Sequence, residues 1–269
     1  MEGARVGSEE RRIVLITGAS RGIGAEAARI LGQRGDHVVV NYREKRKRAE
    51  TIAAEIAAAG GSASVAGADI TDAAAAAGLV DTVVGEFGRL DILVLNASGG
   101  LEQGAAADYA MAVNRDAQTR LVRLALPRMA PGARIVFVTS HQAHFSATRP
   151  VPGGYEPIAR SKRAGEDALR DMVGEFDRRG IGFVVVSGDM IDGTIIVRLL
   201  ERRDPDAVAT RREHGALPTV EEFAMAIADA TARPAESGHT IYVGGADFHG
   251  SIATCPTGSA SFPNSSSPA

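Results

Sequence analysis

The sequence predicts an α/β fold, a doubly wound parallel sheet of seven strands with helices on both faces and a lid after strand six. Short apolar runs alternate with helical patterns along the chain, which is typical of βα units. A glycine-rich turn joins the first apolar run to the first helical pattern. No linker or shift in composition divides the 269 residues, so we predict a single domain over residues 11–250, with the lid at about 192–217.

Each strand is predicted from a short apolar run. The predicted strands lie at residues 13–16, 36–41, 62–68, 91–95, 134–139, 181–186 and 240–243. Helices are predicted after the glycine turn to about residue 31, at 46–59, from a cap at 71–72 to 87, at 109–129 and at 157–179. Their ends are marked by glycines at Gly60 and Gly88, by the capping residue Asp72 and by Pro157, which favours a first helical turn.

Composition limits the possible partners. The formal net charge is −3, which argues against a nucleic-acid or anionic-membrane surface. The single cysteine, Cys255, excludes an internal disulfide and fits a reducing compartment. Residues 1–12 lack the apolar segment of a signal peptide, and no apolar run is long enough to span a bilayer. We expect a cytoplasmic protein, with disordered tails at residues 1–10 and 254–269.

The stretch Thr17-Gly18-Ala19-Ser20-Arg21-Gly22-Ile23-Gly24 predicts a dinucleotide site of the Rossmann type. Gly18 allows a sharp turn off the strand, Gly22 allows backbone to approach a pyrophosphate, and Gly24 allows the helix to pack closely on the strand. The first N–H groups of the following helix then face the phosphates.

The end of the second strand favours NADP(H) over NAD. It is Asn41-Tyr42-Arg43, without the carboxylate that would hold a ribose 2′-hydroxyl. Arg21, inside the glycine turn, supplies a second guanidinium that, with Arg43, is able to bind a 2′-phosphate. The alternative for Arg43 is a place in the solvated charged run of residues 43–48.

Several motifs together resemble the short-chain dehydrogenase/reductase family over nearly the whole chain. They are the glycine turn at 17–24, Asp69-Ile70, Asn96-Ala97-Ser98-Gly99, Asn114, Ser140 at the end of the fifth strand, Ser161-Lys162, and residues 238–245. Two departures are Leu95 where the family has a first Asn, and Ser187-Gly188 where it has Pro-Gly.

The resemblance implies an NADPH-dependent reductase and assigns roles to matching positions. The implied catalytic residues are Ser140, Lys162 and Asn114. The cofactor-binding residues expected from the motifs are Gly18, Ser20, Arg21, Gly22, Ile23, Gly24, Asn41, Tyr42, Arg43, Ala68, Asp69, Ile70, Asn96, Ala97, Lys162, Ser187 and Gly188. No metal is expected, and the resemblance implies a dimer or tetramer, the usual oligomeric states of the family.

The main departure from the family is the absence of its usual acid. That acid is a Tyr one helical turn before the Lys, and here Ile158 occupies the position four residues before Lys162. Tyr155 lies seven residues before Lys162, and Pro157 places it ahead of the helix, so we expect a loop tyrosine rather than a relocated acid.

Three explanations of the missing acid remain open at this stage. In the first, the substrate supplies its own proton, for example from a phenol hydroxyl beside the ketone. In the second, a histidine (His141 or His144) or a water replaces the tyrosine. Alternatively, catalysis is lost and the protein is a sensor of NADP(H).

Residues 155–169 and 185–191 also resemble a narrower group, the atypical actinobacterial ketoreductases that act on angucyclinones. That resemblance implies reduction of a carbonyl on a polycyclic aromatic polyketide, as in antibiotic biosynthesis. The arginine-rich segment after strand six is expected to close over such a substrate as a lid.

Overall fold

The computed structural model describes residues 11–101, 106, 108–152, 154–233 and 236–245. The two tails predicted to be disordered, at 1–10 and 254–269, lie outside the described residues, as does the end of the predicted domain after residue 245.

Seven parallel strands form one sheet in the order β3-β2-β1-β4-β5-β6-β7, which confirms the predicted architecture. The strands are β1 Ile13–Ile16, β2 His37–Tyr42, β3 Ser62–Gly67, β4 Ile92–Leu95, β5 Arg134–Ser140, β6 Gly182–Gly188 and β7 His239–Val243. The order reverses between β1 and β4, so a crevice opens at their carboxyl ends, where ligands bind in such sheets.

Helices cover both faces of the sheet. They are α1 Gly22–Gln33, α2 Arg46–Ala58, α3 Ala73–Phe87, α4 Tyr109–Met111, α5 Ala117–Ala125, α6 His141–His144, α7 Glu156–Arg170, α8 Val173–Arg178, α9 Ile195–Arg203, α10 Pro205–Glu213 and α11 Val220–Ala230. One apolar core lies between the sheet and α3, α5 and α8, and a second lies between the sheet and α1, α2 and α11. Strand residues alternate between the two cores, as a sheet buried on both faces requires. Among the described residues, no helix combines the length and apolarity needed to cross a bilayer.

Three helical expectations need correction. The helix predicted at 109–129 contains a π-helical turn, Ala112–Asp116, and ends in a 3-10 turn, Leu126–Arg128. The helix predicted at 157–179 is two helices, α7 and α8, divided at residues 171–172. Neither α6 nor α11 was predicted, although Thr219 and Glu222 form a capping box that signals the start of α11.

Helix α7 packs directly on the π-helical turn because Gly165 has no side chain. A Cβ built at Gly165 would lie 2.2 Å from the backbone oxygen of Asn114. The two segments therefore approach more closely than any other residue at position 165 would allow. This contact fixes the register of α7 against the rest of the site.

We predict that Gly165→Ala lowers the free energy of unfolding by about 2–3 kcal/mol, because the methyl group forces backbone atoms apart. Gly78→Ala is the matched control, since Gly78 is an exposed residue inside α3 with nothing within 4 Å of its Cβ position. That variant should gain about 0.5–1 kcal/mol from helix propensity. Denaturant titration measures both, and equal stabilities of the two variants would contradict the close contact.

Candidate active site

Asn41, at the end of β2, is hydrogen-bonded to the glycine turn that follows β1. The Asn41 side-chain oxygen accepts a hydrogen bond from the Gly18 N–H at 3.2 Å, and its amide nitrogen donates to the Ala66 and Ala68 oxygens. Asn41 is almost fully buried. Its side chain is thus engaged within the protein, where it positions the turn.

Asn96 joins the same turn to the end of β4. Its amide nitrogen donates to the Thr17 oxygen at 2.9 Å and to the Gly18 oxygen at 3.3 Å. A Cβ at Gly24 would lie 2.5 Å from that amide nitrogen, and a Cβ at Gly18 would lie 3.0 Å from the Ala97 Cα. The glycines at these two positions therefore allow the turn to pack against β4, as the sequence predicted for Gly24.

The beginning of α1 presents an unblocked helix N-terminus. Arg21 is the N-cap residue, and its side chain makes no capping hydrogen bond. Gly22 has φ 56° and nothing within 4 Å of its Cβ position, so open space lies beside this turn. Unpaired N–H groups facing open space at a helix start are suited to a phosphate. Ser20 and Ile23 lie in this same turn.

Three of the residues expected to bind the cofactor, Ala68, Asp69 and Ile70, follow β3. Ala68 and Ile70 are buried, and the Asp69 carboxylate accepts hydrogen bonds from the Thr71 N–H at 2.9 Å and the Thr71 hydroxyl at 2.7 Å. One carboxylate oxygen of Asp69 therefore stabilises the turn into α3, whose N-cap is Asp72.

A pair of hydroxyls lies where β5 ends. The Ser140 hydroxyl oxygen is 3.2 Å from the phenol oxygen of Tyr155, and either atom is able to donate. Tyr155 immediately precedes α7, as predicted, but its side chain is buried and directed back to Ser140. The sequence analysis expected a loop tyrosine and did not predict this contact, which depends on tertiary packing.

The tyrosine of this pair has a raised pKa. Burial raises the pKa of Tyr155, and the hydrogen bond with Ser140 opposes that rise only in part. Lys162 is not among the groups that shift this pKa. Ile158 lies one turn before Lys162 and is buried, with its Cδ1 atom close to Gly100. An aliphatic group thus occupies the helical position that a phenol holds in the family.

The pKa of Lys162 is lowered in the folded protein. Burial lowers the pKa of its ammonium group to about 8. Among the residues that the structure describes, it makes no hydrogen bond or ion pair, which suits a group that binds a ligand.

Asn114 lies at the centre of the π-helical turn. Its amide nitrogen donates to the Gly99 oxygen at 3.0 Å and to the Ser161 hydroxyl at 2.9 Å. The Ser161 hydroxyl in turn donates to the Ile158 oxygen at 3.0 Å. The Asn114 side chain therefore connects the loop after β4 to α7, and this role is positioning.

Both histidines after Ser140 are engaged away from the hydroxyl pair. His141 is fully buried, with Nδ1 2.8 Å from the Ser187 hydroxyl and Nε2 3.1 Å from the Gly244 oxygen. His144 Nδ1 lies 2.8 Å from a Glu166 carboxylate oxygen, and Nε2 lies 3.0 Å from the Tyr242 hydroxyl. With both ring nitrogens of each histidine bonded, neither is suited to be the proton donor.

Glu166, which the sequence analysis missed, anchors α7 to the neighbouring elements. Burial favours its neutral form, but hydrogen bonds with His144 and Arg170 hold the pKa of this carboxyl below its usual value. Arg170 donates one hydrogen bond to the Glu166 carboxylate and another to the Gly238 oxygen, the latter at 2.7 Å. No local sequence pattern signals this network, because its members come from α6, α7 and the approach to β7.

An apolar cluster adjoins the hydroxyl pair. Its buried members come from α4, α6, α7, the end of β6 and the segment at 192–217, and they are Ala110, Ala143, Tyr155, Ile158, Ala159, Met190, Val197, Leu200 and Val208. Helices α9 and α10 supply the last three. A buried ion pair, Arg211 to Asp189 at 2.5 Å, joins α10 to the residue after Gly188. The segment predicted as a lid therefore shares an apolar cluster with Tyr155 and Ile158.

Comparison with known proteins identifies relatives of this chain. The family model described as short chain dehydrogenase matches residues 12–205. A hydroxynaphthalene reductase of Aspergillus fumigatus is 34% identical over 175 residues, which are 63% of this chain and 62% of that protein. Versicolorin reductase 1 of Aspergillus parasiticus is 38% identical over 138 residues, 49% of this chain and 53% of that protein. The chain thus spans less than two thirds of the length of these relatives.

A solved structure supports the fold over a larger region. The angucycline C-6 ketoreductase LanV with bound NADP is 28% identical, with a TM-score of 0.74. The match covers 87% of this chain and 95% of that one.

The pKa of Lys162 predicts a pH-dependent stability. The unfolded chain, in which the pKa is near 10.5, binds more protons than the folded one between pH 8 and 10.5. The free energy of unfolding therefore rises with pH across that window, relative to a variant without the amine. We predict that Lys162→Met raises Tm at pH 7 by roughly 2–4 °C and that this gain shrinks as pH approaches 10.

Calorimetry of the protein without cofactor measures this effect. Lys47→Met, at an exposed lysine of α2, is the matched control and should leave Tm within about a degree at either pH. A Lys162→Met variant less stable than the wild type at pH 7 would contradict the burial of the ammonium group.

Proposed function

This chain belongs to the short-chain dehydrogenase family, and we propose that it is an NADPH-dependent ketoreductase acting on a carbonyl of a polycyclic aromatic polyketide, such as an angucyclinone. The observation that carries the proposal is the Ser140–Tyr155 hydroxyl pair at the edge of the apolar cluster. Two hydroxyl donors beside an apolar wall are suited to a flat ketone whose oxygen is its main polar atom.

The residues at the crevice fit a dinucleotide. The helix start at Gly22 is uncapped and open, and Asn41 and Asn96 hold the turn before it in place. Arg43 is exposed at the end of β2, where a 2′-phosphate would lie, and residues 41–43 include no carboxylate to repel one. When bound, NADPH supplies a hydride. The NADP in the structure of LanV is consistent with this choice.

The protein residues hold the reactants and stabilise charge. The Ser140 and Tyr155 hydroxyls donate hydrogen bonds to the carbonyl oxygen, where negative charge develops as the hydride arrives. Lys162, charged below about pH 8, binds the ribose hydroxyls of the cofactor. Asn114 and Gly165 keep α7, and hence Lys162, in register.

The proton comes from the substrate. Tyr155 has a raised pKa, Ile158 has no proton to give, and both histidines are engaged elsewhere. A phenol hydroxyl adjacent to the ketone transfers its proton to the oxygen as the C–H bond forms, and the phenolate then regains a proton from water. The overall reaction converts ketone, NADPH and one proton into alcohol and NADP⁺.

A sensor of NADP(H) without catalysis would also tolerate Ile158. The hydroxyl pair argues for the enzyme, because a sensor does not need two hydroxyls side by side at an apolar cluster. The reductases of naphthalene and versicolorin substrates among the relatives agree with an aromatic substrate.

The direct experiment measures NADPH oxidation with a panel of quinones and hydroxylated aromatic ketones, together with product analysis. We expect turnover with at least one peri-hydroxylated ketone. Ser140→Ala should lower kcat/KM by about 100-fold, because it removes a hydrogen-bond donor to the developing oxyanion. NADPH binding, followed by fluorescence titration, should remain within about twofold of the wild type.

Tyr155→Phe tests the proton route. We expect kcat/KM to fall by only about tenfold, as for loss of one hydrogen bond, with Tyr242→Phe on β7 as a control that leaves the rate unchanged. Loss of all turnover in Tyr155→Phe with intact NADPH binding would identify Tyr155 as the acid. No turnover by the wild type across the panel, with NADPH still bound, would favour the sensor.

A further inference from the structure

His141, the residue after Ser140, connects the carboxyl ends of three neighbouring strands. Its Nδ1 atom lies 2.8 Å from the Ser187 hydroxyl on β6, and its Nε2 atom lies 3.1 Å from the Gly244 oxygen, just after β7. His141 and Ser187 are both fully buried. The imidazole therefore joins the end of β5 to β6 and to the end of β7 inside the protein, one residue from Ser140.

The chemistry of the partners fixes the direction of both hydrogen bonds. A carbonyl oxygen only accepts, so the His141 Nε2 atom carries a proton and donates a hydrogen bond to the Gly244 oxygen. In a neutral imidazole the other nitrogen is then an acceptor, and the Ser187 hydroxyl donates to it. Each nitrogen of this buried ring thus has a partner of the matching kind.

Ser140 begins a helix that is too short to hold its own position. The Ser140 hydroxyl oxygen accepts a hydrogen bond from the Ala143 N–H at 3.3 Å, across the single turn of α6. A one-turn helix has little stability of its own, because few hydrogen bonds offset the entropy lost in forming it. The placement of the Ser140 hydroxyl next to Tyr155 therefore depends on side chains that anchor α6, and His141 is the first residue of that helix.

We propose that His141 is a positioning residue, which with Ser187 and Gly244 holds the Ser140 hydroxyl where it binds the carbonyl oxygen of the ketone. The inference rests on the proposed function, in which Ser140 donates to that oxygen. It also gives a purpose to Ser187, which stands where the family resemblance has a proline. A proline has no hydroxyl to donate to an imidazole, so the serine and the histidine act as a unit.

The first measurement is kcat and KM for a ketone that the wild type reduces, together with the Kd for NADPH. Ser187→Ala removes the donor to Nδ1, and His141→Gln keeps an amide N–H for the Gly244 oxygen but lacks the ring nitrogen that accepts from Ser187. We expect each variant to lower kcat about tenfold, because a displacement of about 1 Å near the reacting atoms costs about 100-fold and the displacement here is smaller. KM and the Kd for NADPH should stay within about twofold of the wild type, since Ser140 acts mainly on the charge that develops in the transition state.

A double-mutant cycle tests whether His141 acts through Ser140. In the Ser140→Ala background, Ser187→Ala and His141→Gln should each change kcat by less than about twofold, because the hydroxyl to be positioned is gone. Ser62→Ala is the matched control, because the Ser62 hydroxyl lies 2.7 Å from His37 Nδ1 at the start of β3, the opposite end of the sheet. This control should leave kcat unchanged.

The tautomer of His141 provides a readout that does not depend on turnover. In nitrogen NMR spectra of the histidine-labelled protein, we expect His141 to be protonated at Nε2. Ser187→Ala should move the Nδ1 resonance downfield, as loss of its hydrogen bond requires. A wild-type His141 protonated at Nδ1 alone would overturn the inference.

The kinetic outcomes separate this inference from the proposed function. If the wild type reduces no ketone, the proposed function fails and the role of His141 fails with it. If the wild type is active and both variants keep its kcat, the role of His141 is overturned and the reductase proposal stands. Equal losses of kcat in the presence and absence of the Ser140 hydroxyl would also overturn it, because the effect would not pass through Ser140.

Discussion

The close approach of α7 to the π-helical turn is the constraint from which the site is built. Because Gly165 has no side chain, α7 approaches the backbone oxygen of Asn114 closely. The side-chain amide of Asn114 also joins the π-helical turn to α7 by its hydrogen bond to Ser161. With α7 held there, Lys162 and Ile158 are one turn apart on one side of the helix. Glu166, one turn after Lys162, is bonded to His144 and Arg170 and secures the next turn of the helix. The helix has therefore little freedom to bring another residue to the position of Ile158.

The register of α7 also explains where the Tyr155 side chain lies. A tyrosine just before the helix reaches Ser140 by folding back over the apolar cluster, and burial there raises the pKa of its phenol. The family resemblance implies a phenol made more acidic by the lysine. In the function we propose, the two roles separate: the hydroxyl groups bind a carbonyl, and the proton comes from the substrate.

The sequence predicted the parts of the fold that depend on local signals. The seven strands, the glycine turn and the capped ends of α3 at Asp72 and Gly88 are where apolar runs, glycines and capping residues place them. The π-helical turn was missed because a change from 3.6 residues per turn leaves no trace in an apolar pattern. In the site, the resemblance indicated Ser140 and Lys162, and Ile158 was correctly expected one turn before Lys162. The contact of Tyr155 with Ser140 and that of His141 with Ser187 depend on tertiary packing, which no spacing rule contains.

The proton route is tested most directly by a matched pair of aromatic ketones, one with a phenol hydroxyl beside the carbonyl and one with that hydroxyl methylated. The measurement is kcat for each at saturating NADPH, with a competition assay to confirm that both bind. If the substrate supplies the proton, the hydroxyl ketone is reduced, whereas the methyl ether binds but is turned over at least about 100-fold more slowly. A factor of about 100 is the lower end of the rate gain that a positioned proton donor gives. Equal kcat values for the two ketones would show that the protein or water supplies the proton, and the account given above would be wrong.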